Sequence, residues 1–192
     1  ISGNARSEAK RISEVALRLA PGIAESHIAM GSTWTIYEDY DQADHEFETA
    51  ISLHPESFNA WFTWARCKTY QGDLKKAVEF YQKASEIRPQ DYQSVLMQLS
   101  FLNALGDSDS AEEKAKEGLL RAKTFLELSP DENRAWNMGA FALLQLGQVD
   151  EAKEWMQTSM QNSPRNSILT YNAASFYALL GDIDKSLSFL SQ

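Results

Sequence analysis

The chain has 192 residues, 43% of them apolar, and 18 Lys and Arg against 27 Asp and Glu give a net charge of −9. That apolar content excludes intrinsic disorder, five prolines and nine glycines exclude a collagenous or low-complexity chain, and the acidic balance argues against nucleic acid as a partner. No run of apolar residues is long enough to span a bilayer and the opening residues lack a signal-peptide pattern, so no membrane partner is expected. The first residue is Ile1 rather than Met, as expected of a piece of a longer protein. A lone cysteine, Cys67, excludes an intrachain disulfide, and Asn162-Ser163-Pro164 fails as a glycosylation acceptor, so a cytoplasmic setting is expected.

The prolines fall at positions 21, 55, 89, 130 and 164, spaced 34, 34, 41 and 34 apart. Proline stops helices by removing an N–H and clashing with the preceding turn, so regular proline spacing predicts regular helix stops. Gly72, Gly106, Gly147 and Gly181 keep step with the prolines, as helix-closing turns should. Each unit therefore reads helix, glycine turn, helix, proline. Trp61, Trp64 and Ala65 mark the buried stripe of one first helix, and Ala77, Phe80, Tyr81, Ala84 and Ile87 that of the following second helix. Asp73, Asp107 and Asp182 follow their glycines as caps, whereas Gln148 departs from that rule.

In chain order, residues 1–21 supply half a unit, with Ala9, Ala16 and Pro21 fitting a second helix only. Full units follow over 24–57, 58–91, 92–132 and 133–166, and 167–192 is a partial fifth, all in a single array. The 92–132 unit carries seven extra residues between Gly106 and Pro130. Seven residues are close to two helical turns, so one long helix from about Ala111 to Leu128 is expected, opened by a capping box at Ser110–Glu113. Ala122 and Phe125 reverse the usual large-then-small order there. Its acidic, lysine-studded tip, Asp107 to Glu117, is either a projection without a role or a docking site.

A 34-residue helix-turn-helix period with W-x2-L-G-x2-Y, A-x3-F and P resembles the tetratricopeptide repeat. In the clearest unit Trp61, Trp64-Ala65, Ala77, Tyr81, Ala84 and Pro89 hold those places, and Lys68 departs at the tyrosine. The unit before it offers Met30-Gly31, Trp34, Ala43, Phe47, Ala50 and Pro55, with His27 at the first aromatic and Glu38 at the turn glycine. The fourth has Trp136, Gly139-Ala140, Leu143, Ala152, Met156 and Pro164, and the fifth keeps Ala173-Ala174, Tyr177 and Gly181.

The resemblance implies an all-α fold, a right-handed superhelical α-solenoid of about eleven helices whose inner face is built from first helices. It also implies a scaffold for protein–protein interaction that binds a peptide or protein segment on that face. The candidate lining is Ile28, Asn59, Phe62, Arg66, Tyr70, Asn103, Arg134, Asn137, Phe141, Tyr171 and Asn172. Phe62, Tyr70, Phe141 and Tyr171 are the candidate anchors, unless they turn sideways into the core between repeats. Arg66 and Arg134 are cationic exceptions on an acidic molecule, suited to an acidic residue or a terminal carboxylate. The paired lysines and asparagines with which some members of the family grip chaperone tails are missing, since Ile28, Ser32, Thr63, Gln93 and Met97 hold those positions. Trp136 to Gly147 and Tyr171 to Gly181 resemble arrays that bacteria fuse to signalling domains, which implies a regulatory arm. The alternative is self-association through the terminal helices, where Leu187, Phe189 and Leu190 are apolar.

Nothing points to an enzyme, a cofactor or a metal. His27, His45 and His54 are isolated from any set of ligand-spaced Cys, Asp or Glu and read as surface or packing residues. Cys67, although flanked by Arg66 and Lys68, reads as a small buried packing residue.

Overall fold

The computed structural model describes residues 3–162 and 166–191, and among the described residues there are helices and connecting turns but no strand. Two compact units divide the chain: one runs to Pro89 and takes in Ser100–Gly106, and the other holds Gln90–Leu99 and the described residues from Asp107 onward. In the first, α1 (Gly3–Leu19) packs on α2 (Ala24–Ile36), which pairs antiparallel with α3 (Tyr40–Leu53), and α4 (Phe58–Gln71) pairs with α5 (Leu74–Ile87). In the second, α6 (Gln93–Leu96) packs on α8 (Ser108–Leu128), α9 (Asn133–Gln145) pairs with α10 (Val149–Asn162), and α11 (Ser167–Leu179) with α12 (Ile183–Leu190). The remaining helix, α7 (Gln98–Ala104), has residues in both units.

The punctuation works as its chemistry requires. Pro21, Pro55, Pro89 and Pro130 each stand two residues beyond the end of α1, α3, α5 and α8, and Pro164 lies outside the described residues. The four turn glycines have φ between 73° and 83°, left-handed backbone that costs a Cβ-free residue little. Glu38 adopts φ 63° at the same turn of its repeat, the single non-glycine in this region among the described residues. Holding a residue with a Cβ there costs about 1 kcal/mol.

The third repeat differs from expectation twice. Its first helix is broken at Met97 into α6 and α7, so among the described residues twelve helical segments occupy the eleven expected places. At the break the Gln98 side-chain Nε2 donates to the Ser94 carbonyl at 2.9 Å, the acceptor that its own backbone N–H would use in an unbroken helix. Its second helix opens at Ser108 rather than Ala111, because Asp107 caps it by accepting from the Ser110 N–H at 3.1 Å. Ser110 therefore lies inside the helix and does not cap it. At 21 residues α8 exceeds α3, α5 and α10, each of 14, by the seven that were inserted. The exchanged sizes there are accommodated by Tyr92, whose ring meets Phe125 at 5.2 Å over the buried Ala122.

In α2/α3, α4/α5 and α9/α10, places nineteen residues apart meet, and the chemistry at those places changes while the geometry persists. Trp61 lies against Phe80 with centroids 5.4 Å apart, and Trp136 against Trp155 at 4.6 Å. In the first repeat the same two places hold His27 and Glu46, 2.6 Å apart. The ring nitrogen is reused as well: Trp61 Nε1 donates to the Pro55 carbonyl at 2.9 Å and Trp136 Nε1 to that of Pro130 at 2.7 Å. His27 Nε2 meets the Pro21 carbonyl at 2.9 Å, and since a carbonyl only accepts, Nε2 carries the hydrogen. His27 thus substitutes for an indole as a helix-packing residue, while His45 and His54 are exposed.

Sizes are exchanged in a complementary way at another pair. Trp64 packs against Phe80 at 4.3 Å, whereas the matching place three residues after Trp136 is Gly139, and Trp155 fills the space. A Cβ on Gly139 would come 2.3 Å from Trp155 Cζ3. Lys68, the departure from the tyrosine place, is 2% exposed, and its Nζ donates to Asp44 of α3 and to Gln71 Oε1. Trp64 Nε1 donates to the other Asp44 oxygen at 2.7 Å.

Burial also couples stability to pH at the alkaline end. The Tyr81 phenol is pushed up to about 12, first by burial, and burial raises Tyr92 in the same direction. A phenol in the unfolded chain titrates near 10, so the contribution is fully present below that pH and is lost as pH rises towards the folded value. From pH 10 to 12, Tyr81 alone is expected to remove about 2 to 3 kcal/mol, and in urea unfolding at pH 9, 10 and 11 the Tyr81→Phe variant should show a shallower decline than the parent chain.

Candidate binding site

The first unit contains a cavity of about 610 Å³ walled by α1, α2 and α4. Its side chains arrive by helical spacing: Ser32, Thr35 and Ile36 from α2, and Thr63, Arg66, Cys67 and Tyr70 from α4. Arg6 enters from α1, and Glu38 and Tyr40 from the turn and the start of α3. The Ser32 and Thr35 hydroxyls donate to the carbonyls of Ile28 and Gly31, at 2.7 and 2.8 Å, so what remains to face the cavity is acceptor capacity. The Arg6 guanidinium is engaged on the Ile36 carbonyl at 2.5 Å, and Tyr40 donates its hydroxyl to the Tyr70 carbonyl at 3.3 Å. Arg66 is exposed, and its guanidinium makes no hydrogen bond or ion pair with the described residues. The Tyr70 ring is 64% exposed. Cys67 contributes a thiol raised above its usual range, with burial outweighing the nearby Thr35 hydroxyl, so it is a packing group in the cavity wall.

The expected lining residues fall into two sets. Arg66 and Tyr70 share the cavity, while Asn59 is exposed at the first turn of α4 and Asn103 is exposed on α7. Tyr171 is 65% exposed on α11, and Arg134 is exposed on α9, donating to Gln93 Oε1 at 3.0 Å. The others are committed to packing. Ile28 packs against Ala24, Ala50 and Ala60, and Phe62 lies between Phe58 at 5.4 Å and Tyr81 at 5.3 Å. Phe141 stands edge-on to Phe176 at 5.7 Å. Asn137 is buried and accepts from Asn172 Nδ2 at 2.8 Å, which links α9 to α11. Two of the four candidate anchors, Phe62 and Phe141, thus turn sideways into the repeat core.

Sequence reasoning passed over Arg6, Glu38, Tyr40 and Thr63. Arg6 belongs to the incomplete first unit, and Glu38 and Tyr40 lie at a turn, which a search for one helix face does not reach. The signal for Glu38 was nonetheless present, as the residue that replaces a turn glycine.

Repeated antiparallel helix pairs, with a cavity lined mainly from α2 and α4, are the architecture of a helical repeat protein. The tetratricopeptide repeat family matches at residues 36–99 and again at 134–166, which together span half of the chain. The chain belongs to the tetratricopeptide repeat family. Small glutamine-rich tetratricopeptide repeat-containing protein 2 of Saccharomyces cerevisiae is 27% identical over 127 residues, which are 66% of this chain and 34% of that protein. The chain thus spans about a third of that relative's length.

Among solved structures, pilF of Pseudomonas aeruginosa superposes with a TM-score of 0.67 at 15% identity, covering 97% of this chain and 82% of that one. YrrB, described as a TPR protein with an unusual peptide-binding site, gives 0.58 at 18% identity, covering 93% and 89%. A thermophilic TPR protein of Thermus thermophilus gives 0.67 at 18%, covering 90% and 91%. At these identities the likeness is one of fold. The family and fold are those of protein–protein interaction scaffolds, typically without enzymatic activity. No helix among the described residues is long and apolar enough to cross a membrane.

Proposed function

We propose that the chain binds a peptide or protein segment along its first helices, with the Arg66 and Tyr70 cavity as an anchoring point in the first unit. The observation that carries this reading is an exposed guanidinium and an exposed phenol ring at the mouth of one preformed cavity, neither of them used to hold the fold. Apolar rings beside a few convergent polar groups are what orient an extended ligand. The peptide-binding site named for YrrB lends support by likeness of fold. The role as a regulatory arm of a larger protein rests on the resemblance of residues 136–147 and 171–181 to bacterial signalling arrays.

A photoreactive phenylalanine analogue placed in turn at Tyr70, at Lys83 on the exposed side of α5 and at Leu187 on α12 tests the reading in cells. Adducts with another protein are expected from position 70 and not from 83. Adducts between two copies of this chain from position 187, with none from 70, would overturn the reading in favour of self-association, for which 57% exposure of Leu187 and 60% of Leu190 is the motive.

A further inference from the structure

Of the three charged side chains that line the first-unit cavity, Arg6, Glu38 and Arg66, only Glu38 and Arg66 make no side-chain hydrogen bond with the described residues, and these two have opposite signs. Arg66 supplies a cation with no hydrogen bond or ion pair among the described residues, whereas Arg6 keeps its charge but is held by donating to the Ile36 carbonyl. Glu38 supplies a carboxylate with no hydrogen bond or ion pair among the described residues, and it does not pair with Arg66 across the cavity. It occupies the left-handed turn position where Gly72, Gly106, Gly147 and Gly181 stand in the other repeats. A glycine there would relieve the backbone and deliver no side chain to the cavity. Glu38 and Tyr40 also border an adjoining recess of about 390 Å³ to which Asp41 belongs, so the negative side of the cavity continues past Glu38.

We infer that this cavity selects a peptide segment of mixed charge, with an acidic side chain on Arg66 and a basic side chain a few residues away on Glu38. The inference rests on the peptide-binding reading above and names the chemistry of its ligand. A purely acidic segment would satisfy Arg66, and a second carboxylate could reach Arg6, but Glu38 would stay unpaired and, with Asp41, would repel it. A purely basic segment would satisfy Glu38 and bring a like charge to Arg66. Only a segment carrying both signs leaves neither group unpaired, and opposed charges at two ends of a site also fix the direction in which a chain can lie.

The test uses the full chain and fluorescent decapeptides with blocked termini, each carrying one Glu and one Lys separated by one to four positions in a neutral background. Control sets replace Glu by Gln, Lys by Gln, or both. In fluorescence polarisation the best mixed peptide is expected to bind at least tenfold more tightly than either singly charged control. Glu38→Gln should abolish its advantage over the Glu-only peptide, and Arg66→Gln its advantage over the Lys-only peptide. Glu-only peptides binding as tightly as mixed ones, with no effect of Glu38→Gln, would overturn the inference and leave peptide binding itself standing. Absence of binding by every mixed peptide at millimolar concentration would overturn it too, whereas adducts from position 70 would then still support the broader reading.

Discussion

Lys68→Ala is expected to lower the stability of the first unit by about 3 kcal/mol, read as a reduced urea midpoint by tryptophan fluorescence. Removing one partner of a buried ion pair costs about 3 to 5 kcal/mol, because the other charge is left without compensation. The lower end applies because Asp44, with a quarter of its side chain exposed, can recruit water and keeps its bond from Trp64 Nε1. The pair ties α3 of one repeat to α4 of the next, so the loss falls on an interface between repeats, where arrays of this kind hold their cooperativity. Replacing both partners, as Lys68→Met with Asp44→Asn, should recover most of the loss. An unchanged midpoint in Lys68→Ala would mean that the ammonium is not held as described.

The second large effect runs against the family pattern. Gly139 stands where the repeat ordinarily has leucine, yet Gly139→Leu is expected to destabilise the second unit by about 3 kcal/mol, the upper part of the range for overpacked cores. The Cβ alone would approach Trp155 Cζ3 to 2.3 Å and Cε3 to 2.6 Å. The indole cannot retreat freely, since it also meets Trp136 at 4.6 Å. Adding Trp155→Phe to Gly139→Leu should restore about half of the loss, because the two sites share one volume and their effects are coupled. A double variant no more stable than Gly139→Leu alone, measured by thermal unfolding, would contradict this exchange of volumes.

Much of the fold was legible because the repeat writes its punctuation in residues with few alternatives. Proline at a helix stop and glycine in left-handed backbone cannot be exchanged silently, and their spacing carried both the helix order and the seven-residue insertion in α8. What escaped depended on side-chain competition within a helix: Gln98 takes the Ser94 carbonyl and breaks the first helix of the third repeat. The capping box at Ser110 failed for a similar reason, because Asp107 is a cap one turn earlier and stops the competition.

The candidate site was legible only in part. Spacing places Arg66 and Tyr70 on one helix face, but it does not say whether an aromatic on that face leans sideways. Phe62 and Phe141 found rings in neighbouring helices, Tyr81 and Phe176, while Tyr70 and Tyr171 did not and remain exposed. Lys68 looked like a bare departure from the pattern until Asp44, on a different helix, supplied its reason.

Side chains of α4 at the Arg66 and Tyr70 cavity are expected to contact a partner, and the decisive measurement is the affinity of the protein captured through position 70 for the purified full chain and three variants. Arg66→Glu and Tyr70→Ala are each expected to weaken binding at least tenfold while helicity and urea midpoint hold, and Lys83→Glu to leave it within twofold. Unchanged affinity in both cavity variants, or an equal loss in Lys83→Glu, would mean that the cavity does not hold the partner.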